Sequence, residues 1–405
     1  MSETREAPPS RAVTLAVLGL ASMTIMANAT VASSLPGLRE HYADVPHIDT
    51  LAGLIVTLPS LAVVIAAGAS GWLIDRANRQ LLLVAATTLY AIGGTTGLWA
   101  DGLPAILAGR LFLGFGVALT MTLAMTWSAD LWQGAARARF LGIQGAGMSA
   151  GGVVFMLLGG TLSSLHWRGA FAVYALVIPV AILGLVALAP YGREIARRKA
   201  EAAARPRSRA EPGFPWAAYA FVGPLAFVFM VTFYVTPTRL PFLLEGMGVT
   251  SPVAVAAIMA TLTLVSMPTA LMYGRIRRHV SAIGIFAGSF VLMGAGLLCH
   301  AYATSWEWVL AGSVLAGLGM GPSMPNYTTW FMARVPETQR GRASGLLTTA
   351  FFLGQFVSPL VSAPLVSAFG LSGAFGALGV TLVVLGLGLV VVARRETRAA
   401  AMVVG

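Results

Sequence analysis

Apolar runs of about twenty residues recur along the whole chain, separated by short breaks rich in charge, proline or glycine. About 20 apolar residues are what a helix needs to cross the hydrocarbon of a bilayer. Twelve runs qualify. The first six lie near 12–35, 50–70, 81–99, 104–127, 139–163 and 169–190, and the second six near 215–240, 253–273, 281–303, 308–330, 343–366 and 371–393. A membrane strand barrel would alternate over segments of about ten residues, and no such alternation is present. Arg5 and Arg11 precede the first run, and Ala27-Asn28-Ala29 has the small residues of a cleavage site. The run from Ala12 to Leu35 is nevertheless longer than the roughly 7–15 residues of a secretory signal core, so it is expected to be retained as a span.

Composition agrees with that pattern. Hydrophobic residues make up 57% of the 405 and charged residues 10%, against about 25% charged in a soluble domain. A lipid-facing surface accounts for the deficit. The net charge of +11 does not imply nucleic acid, because the basic residues are confined to the breaks. Of 26 Lys and Arg, only Arg39, Arg168 and Arg239 fall outside or near the outer edge if both termini are cytoplasmic, and Arg110 alone falls within a span. The positive-inside rule then fixes the orientation, and a bacterial-type cytoplasmic membrane is the expected location. The segment Gly192 to Gly213, rich in Arg and Ala with Pro206 and Pro212, separates a bundle over 1–191 from one over 214–405. A surface helix around Arg193–Ala204 is compatible with its composition. The lone Cys299 is read as a buried, inert residue.

The two halves repeat. At a constant offset of 203 residues Gly71 matches Gly274, Gly114 matches Gly317 and Gly116 matches Gly319. Trp127 then matches Trp330, Arg139 matches Arg342 and Gly142 matches Gly345. Parallel six-helix repeats of this kind rock against each other around a midplane site. The expected fold class is therefore an all-α membrane protein, with twelve transmembrane helices in two pseudo-symmetric six-helix bundles.

Between runs 2 and 3 stands Gly71-Trp72-Leu73-Ile74-Asp75-Arg76-Ala77-Asn78-Arg79. It resembles the loop G-x-L-x-D-R-x-G-R of the major facilitator superfamily. Run 4 carries Arg110, Gly114, Gly116 and Ala118, similar to that family's R-x-x-x-G-x-G-x-A pattern. The resemblance covers all twelve runs and is strongest to the drug:proton antiporter and small-solute efflux branch. It implies the major facilitator fold and a cytoplasmic latch of Gly71, Asp75, Arg76 and Arg79, with Arg79 paired to Asp130. It also implies a proton-coupling role for Arg110, whose charge inside a span is costly enough to suggest function. A packing role, bonding only backbone carbonyls, is the competing expectation. Asn78 replaces a glycine, and asparagine's tolerance of left-handed backbone is expected to preserve the turn. Gln80 replaces a basic residue. In run 5, Phe155 and Met156 stand where antiporters of this branch carry Gly-Pro.

No carboxylate falls at a predicted midplane, and Asn28 occupies that depth in run 1. Asp49, Asp130 and Glu245 are the acids nearest the membrane. The resemblance and side-chain polarity together nominate Asn28, Gln144, Tyr234, Arg239, Asn326, Tyr327 and Gln355 as cavity residues, each also suited to interhelical hydrogen bonding. No nucleophile-base pair, phosphate loop or metal-ligand spacing is found, so neither an enzyme nor a cofactor is expected. The expected partners are a small-molecule substrate, protons and membrane lipid, with no nucleic acid and the protein a monomer. Proton-coupled efflux of a drug, siderophore or metabolite is the first functional reading. An organic-anion uptake carrier or uniporter is the second.

Overall fold

A computed structural model describes residues 9–203 and 213–404; the side chains at 29, 67–69, 71–72, 75–76, 135, 138, 192–203 and 395–404 lie outside that description. Every span of the chain is helical. Span 1 is α1 (Arg11–Ala29), continued by a 3-10 turn (Ala32–Ser34) and α2 (Leu35–His41). Spans 2 to 5 are α3 (Ile48–Arg76), α4 (Arg79–Trp99), α5 (Leu103–Leu131) and α6 (Gly134–Leu165). Span 6 opens with a 3-10 stretch (Trp167–Leu176) and continues as α7 (Val177–Ala203), so helix runs well into the segment expected as a linker. The second half begins with α8 (Trp216–Gly246) and α9 (Pro252–Leu271), followed by the short α10 (Tyr273–His279). Then come α11 (Ala282–Ala301), α12 (Trp306–Met332) and α13 (Arg340–Val404).

Among the described residues ten helices are long and apolar enough to cross a membrane. One of them, Glu337–Arg394, is two spans, because Gly370 (φ 70°) breaks α13 into a hairpin. Only glycine adopts that backbone without strain. Together with the less apolar α12, this gives the twelve spans of a multi-pass membrane protein. The helices overrun the sequence-predicted ends by up to about four turns, at the end of α7, because apolar runs mark the hydrocarbon and not the helix termini.

The repeat has a packing cause. A Cβ on Gly114 would stand 2.6 Å from that of Ala62 on α3, and one on Gly317 would stand 2.6 Å from the Leu262 carbonyl oxygen on α9. Gly116 and Gly319 stand equally close to the backbones of α4 and α11. The matched glycines let matched helices touch. Asn78 and Ser281, also 203 residues apart, are matched caps: Asn78 accepts from the Gln80 N–H at 2.9 Å and Ser281 from the Gly284 N–H at 3.0 Å. Asn78 is therefore extended (φ −64°, ψ 120°), not left-handed as expected. Its oxygen satisfies an orphan N–H of the helix start, which a glycine there does not do.

Each bundle has its own apolar core, and few side chains cross over. Phe242 and Phe352 of the second half pack into the first, while Ala32 and Met156 pack into the second. The halves meet along two helix pairs, α3 with α13 and α6 with α9, which the repeat exchanges.

Candidate functional site

The interface between the halves is tight at the end remote from the termini. A Cβ on Gly53 would lie 2.9 Å from the Pro359 ring, and one on Gly160 would lie 2.8 Å from the Pro252 carbonyl. Two arginines lock this end reciprocally. Arg39 of α2 donates to Glu245 of α8 at 2.6 Å, lies 3.7 Å from the Asp49 carboxylate, and stacks 4.8 Å from the centre of the Phe242 ring. Arg239 of α8 is buried and donates to Ser362 at 3.0 Å and to the Asp49 carbonyl of α3 at 3.1 Å. Beside this gate, Arg168 pairs with Asp101 at 2.9 Å, and Tyr42 donates to the Asp101 carbonyl at 2.7 Å. Burial of Tyr42 raises its phenol above the ordinary value, outweighing the opposing pull of Arg168.

Toward the terminal end the halves part. Gly145 lies two turns from Gly152 on the same face of α6, and Gly345 lies four turns from Pro359 on the same face of α13. A Cβ at either glycine would meet nothing within 4 Å. The interface is thus closed at one end and open at the other.

A polar cluster spans both halves where closed meets open. Ser60 of α3 donates to the Gln355 Oε1 of α13 at 2.9 Å, and the Asn28 amide of α1 donates to the same oxygen at 3.5 Å. The Asn28 amide also reaches the Tyr234 hydroxyl of α8, and the Gln355 amide faces the Met230 sulfur at 3.9 Å. Asn28, Tyr234 and Gln355, expected as cavity residues from the resemblance and their polarity, are brought together. Ser60 and Met230 were not foreseen; the Pro59-Ser60 step in span 2 was the available signal. The Asn28 Oδ1 and the Gln144 Oε1 are buried acceptors without a protein partner. Gln144 sits on the stretch of α6 where the halves have separated.

Asn326 and Tyr327 lie elsewhere. Asn326 donates to the Ala282 carbonyl at 2.9 Å and accepts from Tyr273 at 3.2 Å, while Tyr327 donates to the Leu225 carbonyl at 3.1 Å. Both are fully buried within the second bundle, and their bonds join its own helices.

Arg110 is fully buried and takes the packing arrangement. Its Nε donates to the Ile55 carbonyl at 2.7 Å, and its Nη2 donates to the Ala27 carbonyl at 3.1 Å and the Tyr174 hydroxyl at 2.9 Å. Both carbonyls need a donor. Pro59 has no N–H to offer Ile55, and Ala27 lies in the last turn of α1, where no helical N–H follows. The Arg110 Nη1 has no partner among the described residues, and no carboxylate among them bonds this cation.

The expected latch is described in part. Arg79 Nη1 lies 2.7 Å from the Asp130 Oδ2, outside hydrogen-bond angles, with its guanidinium 5.1 Å from the centre of the Trp127 ring. The side chains of Gly71, Asp75 and Arg76 lie outside the described residues. The three acids nearest the membrane, Asp49, Asp130 and Glu245, are each within ion-pair distance of an arginine. Cys299 is half-buried, not fully buried as expected. His300, at the end of span 9, is fully buried beside Ser313 with its Nε2 3.2 Å from the Val309 carbonyl. Among the described residues no group of three His, Cys, Asp or Glu side chains is placed to hold a metal.

A family model described as Major Facilitator Superfamily matches residues 17–287 and 282–403. The chain belongs to the major facilitator superfamily. Relatives within it differ in what they carry. The 4-hydroxybenzoate transporter PcaK of Pseudomonas aeruginosa is 38% identical over 125 residues, covering 29% of this chain and 25% of that protein. The minor myo-inositol transporter IolF of Bacillus subtilis is 29% identical over 137 residues, 33% of this chain and 31% of that one. The class C tetracycline resistance protein of Escherichia coli is 31% identical over 171 residues, 40% of this chain and 41% of that protein. The matched part therefore spans from a quarter to about two-fifths of these relatives' length. Among solved structures, a peptide transporter, POT, superposes with TM-score 0.74 at 14% identity over 95% of both chains. A D-xylose-proton symporter superposes with TM-score 0.71 at 14% identity, over 93% of this chain and 96% of that one. These likenesses show the fold.

Proposed function

We propose that the protein is a secondary transporter for a small organic anion, working by alternating access, with the solute held at the Asn28-Ser60-Gln355 cluster. The observation that carries this reading is the position of the cluster. It lies between a gate closed by Arg39 and Arg239 and a cleft open at the terminal end. With both termini cytoplasmic, as the distribution of basic residues supports, the state described is open to the cytoplasm. The choice of an anion rests on charge. Arg110 and Arg239 are buried cations, and neither hydrogen-bonds a carboxylate among the described residues. Asp49 partly compensates Arg239, whereas Arg110 bonds only carbonyls and a phenol, and the positive charge it leaves inside the bundle favours a negative solute. Similarity to a 4-hydroxybenzoate transporter supports the same class.

Proton-coupled efflux is the second reading, favoured by the longer match to a tetracycline resistance protein. The described acids nearest the membrane are engaged at its edges by Arg39 and Arg79, so coupling through the solute's own proton fits this interior better than a carboxylate relay. Proteoliposomes with labelled 4-hydroxybenzoate and an imposed pH gradient separate the readings, with internal pH followed by a trapped dye. Carrier-dependent entry of the anion, with a raised KM in Gln355→Ala, is expected. Transport of tetracycline in exchange for protons, with no flux of the aromatic acid, would establish the second reading.

A further inference from the structure

The repeat of 203 residues sets Ala282 where Arg79 stands and Ala333 where Asp130 stands, on either side of the matched tryptophans Trp127 and Trp330. In the first bundle the Arg79–Asp130 pair fills this corner and ties the start of α4 to the end of α5. In the second bundle both charges have been replaced by methyl groups. The corner is a cleft of about 190 Å³ lined by the two alanines with Tyr273, Arg277, Ser281, Thr329 and Arg334.

Two arginines border that space. Arg334 lies over the Trp330 ring, 3.8 Å from its centre, and donates to the Trp330 carbonyl at 2.9 Å. Arg277 donates to the Val280 carbonyl at 3.1 Å. Both are exposed, and neither pairs with a carboxylate among the described residues. A guanidinium has five N–H donors in a planar fork, so each retains donors suited to a tetrahedral oxyanion. The start of α11 adds the positive end of a 20-residue helix. Arg275, Arg278 and His279 on α10 strengthen the local field without an acidic neighbour on that helix. The rim on the membrane side is apolar. Leu271, Met272 and Val280 are all exposed beside the arginines. Cationic forks over a cleft, next to exposed aliphatic side chains at a bundle end, match a molecule with a phosphate head and hydrocarbon tails.

We propose that this cleft binds the phosphodiester headgroup of an anionic lipid. The bound phosphate ties α10 and α11 to the end of α12 through Arg277 and Arg334, as the Arg79–Asp130 ion pair ties α4 to α5. One half closes this corner with its own side chains and the other with a lipid.

Native mass spectrometry of the full-length protein in detergent tests this with equal concentrations of phosphatidylglycerol and phosphatidylcholine. Wild type retains phosphatidylglycerol preferentially, and Arg277→Ala/Arg334→Ala retains about thirty-fold less. Arg137→Ala/Arg139→Ala removes the same charge from the terminal end of the first bundle and leaves retention at the wild-type level. Ala282→Arg/Ala333→Asp refills the corner and lowers retention while the Tm is kept. Equal retention by wild type and Arg277→Ala/Arg334→Ala overturns the site, as does an equal loss in the Arg137/Arg139 control. A rise in Tm with inorganic phosphate alone, lost in Arg277→Ala/Arg334→Ala and without preference between lipids, overturns the lipid as the source of the phosphate.

Discussion

Arg39 and Arg239 belong to opposite bundles, and each bonds the bundle it does not belong to: Arg39 donates to Glu245, and Arg239 donates to the Asp49 carbonyl. The two contacts share one end of the interface, so a rocking motion that separates the bundles there breaks both. They are unequal in setting. Arg39 and Glu245 are about one-third exposed, with side-chain exposures of 37% and 31%, whereas Arg239 is buried. An exposed ion pair contributes about 0.2–1 kcal/mol; the buried arginine also fixes the α13 backbone and carries the larger share of the closure.

Arg39→Ala is therefore expected to raise the population open at the remote end by no more than about five-fold, and Arg239→Ala by more. The half-buried Cys299 is replaced by serine to clear the background, and spin labels are placed at Asp44→Cys and Thr250→Cys. Distance distributions by pulsed electron resonance read the two populations. A larger effect from Arg39 than from Arg239 would reverse the assignment.

Gly160→Val is a steric version of the same experiment. A Cβ there would already lie 2.6 Å from the Ala256 methyl, and the valine methyls have nowhere to go while α6 and α9 touch. The variant is expected to fold, to remain open at the remote end by the same distance measurement, and to lose transport. Gly145→Val, about four turns away on the same helix, meets open space and leaves the distribution centred as in wild type.

Arg110→Ala is expected to lose transport and also stability. The change strands the Ile55 carbonyl and leaves the Ala27 carbonyl and the Tyr174 hydroxyl only each other, and each hydrogen bond to a charged group is worth about 1.5–3 kcal/mol. Tyr174→Phe removes one of these contacts and lowers the Tm less. A purely proton-coupling role predicts an unchanged Tm in Arg110→Ala, so thermal unfolding in detergent separates the two accounts.

Gln355→Ala and Ser60→Ala are expected to raise KM at nearly constant Tm. A side-chain hydrogen bond between membrane helices averages about 0.6 kcal/mol, too little to change folding visibly. The same amide loses its substrate contact outright. A fall in Tm with unchanged KM would make the cluster a structural contact between halves and move the solute elsewhere.

The twelve spans and the division into two matched halves were legible in the sequence, because hydrocarbon imposes a length and a polarity on every run that crosses it. The Arg79–Asp130 contact was expected from the resemblance of Gly71–Arg79 to the family loop and not from the residues alone, and the two side chains lie 2.7 Å apart. Asn326 and Tyr327 show the limit. They have the polarity of cavity residues, yet they bond carbonyls inside their own bundle. Polarity reveals that a side chain needs a partner and not on which face of the helix the partner lies.

What the sequence determined by itself was the architecture, since apolar length, basic breaks and a 203-residue repeat are properties of the chain read in order. The tertiary structure decided which end is closed and what the interior charges hold. Arg110 bonds Ile55 because Pro59 leaves that carbonyl free, and Arg239 meets Asp49 from 190 residues away. Both outcomes depend on how helices from separate parts of the chain are placed against each other. In a bilayer that placement is set by close packing and by orphaned polar groups finding donors. Lipid is as apolar as the side chains it meets, so hydropathy carries no record of which helix face turns inward.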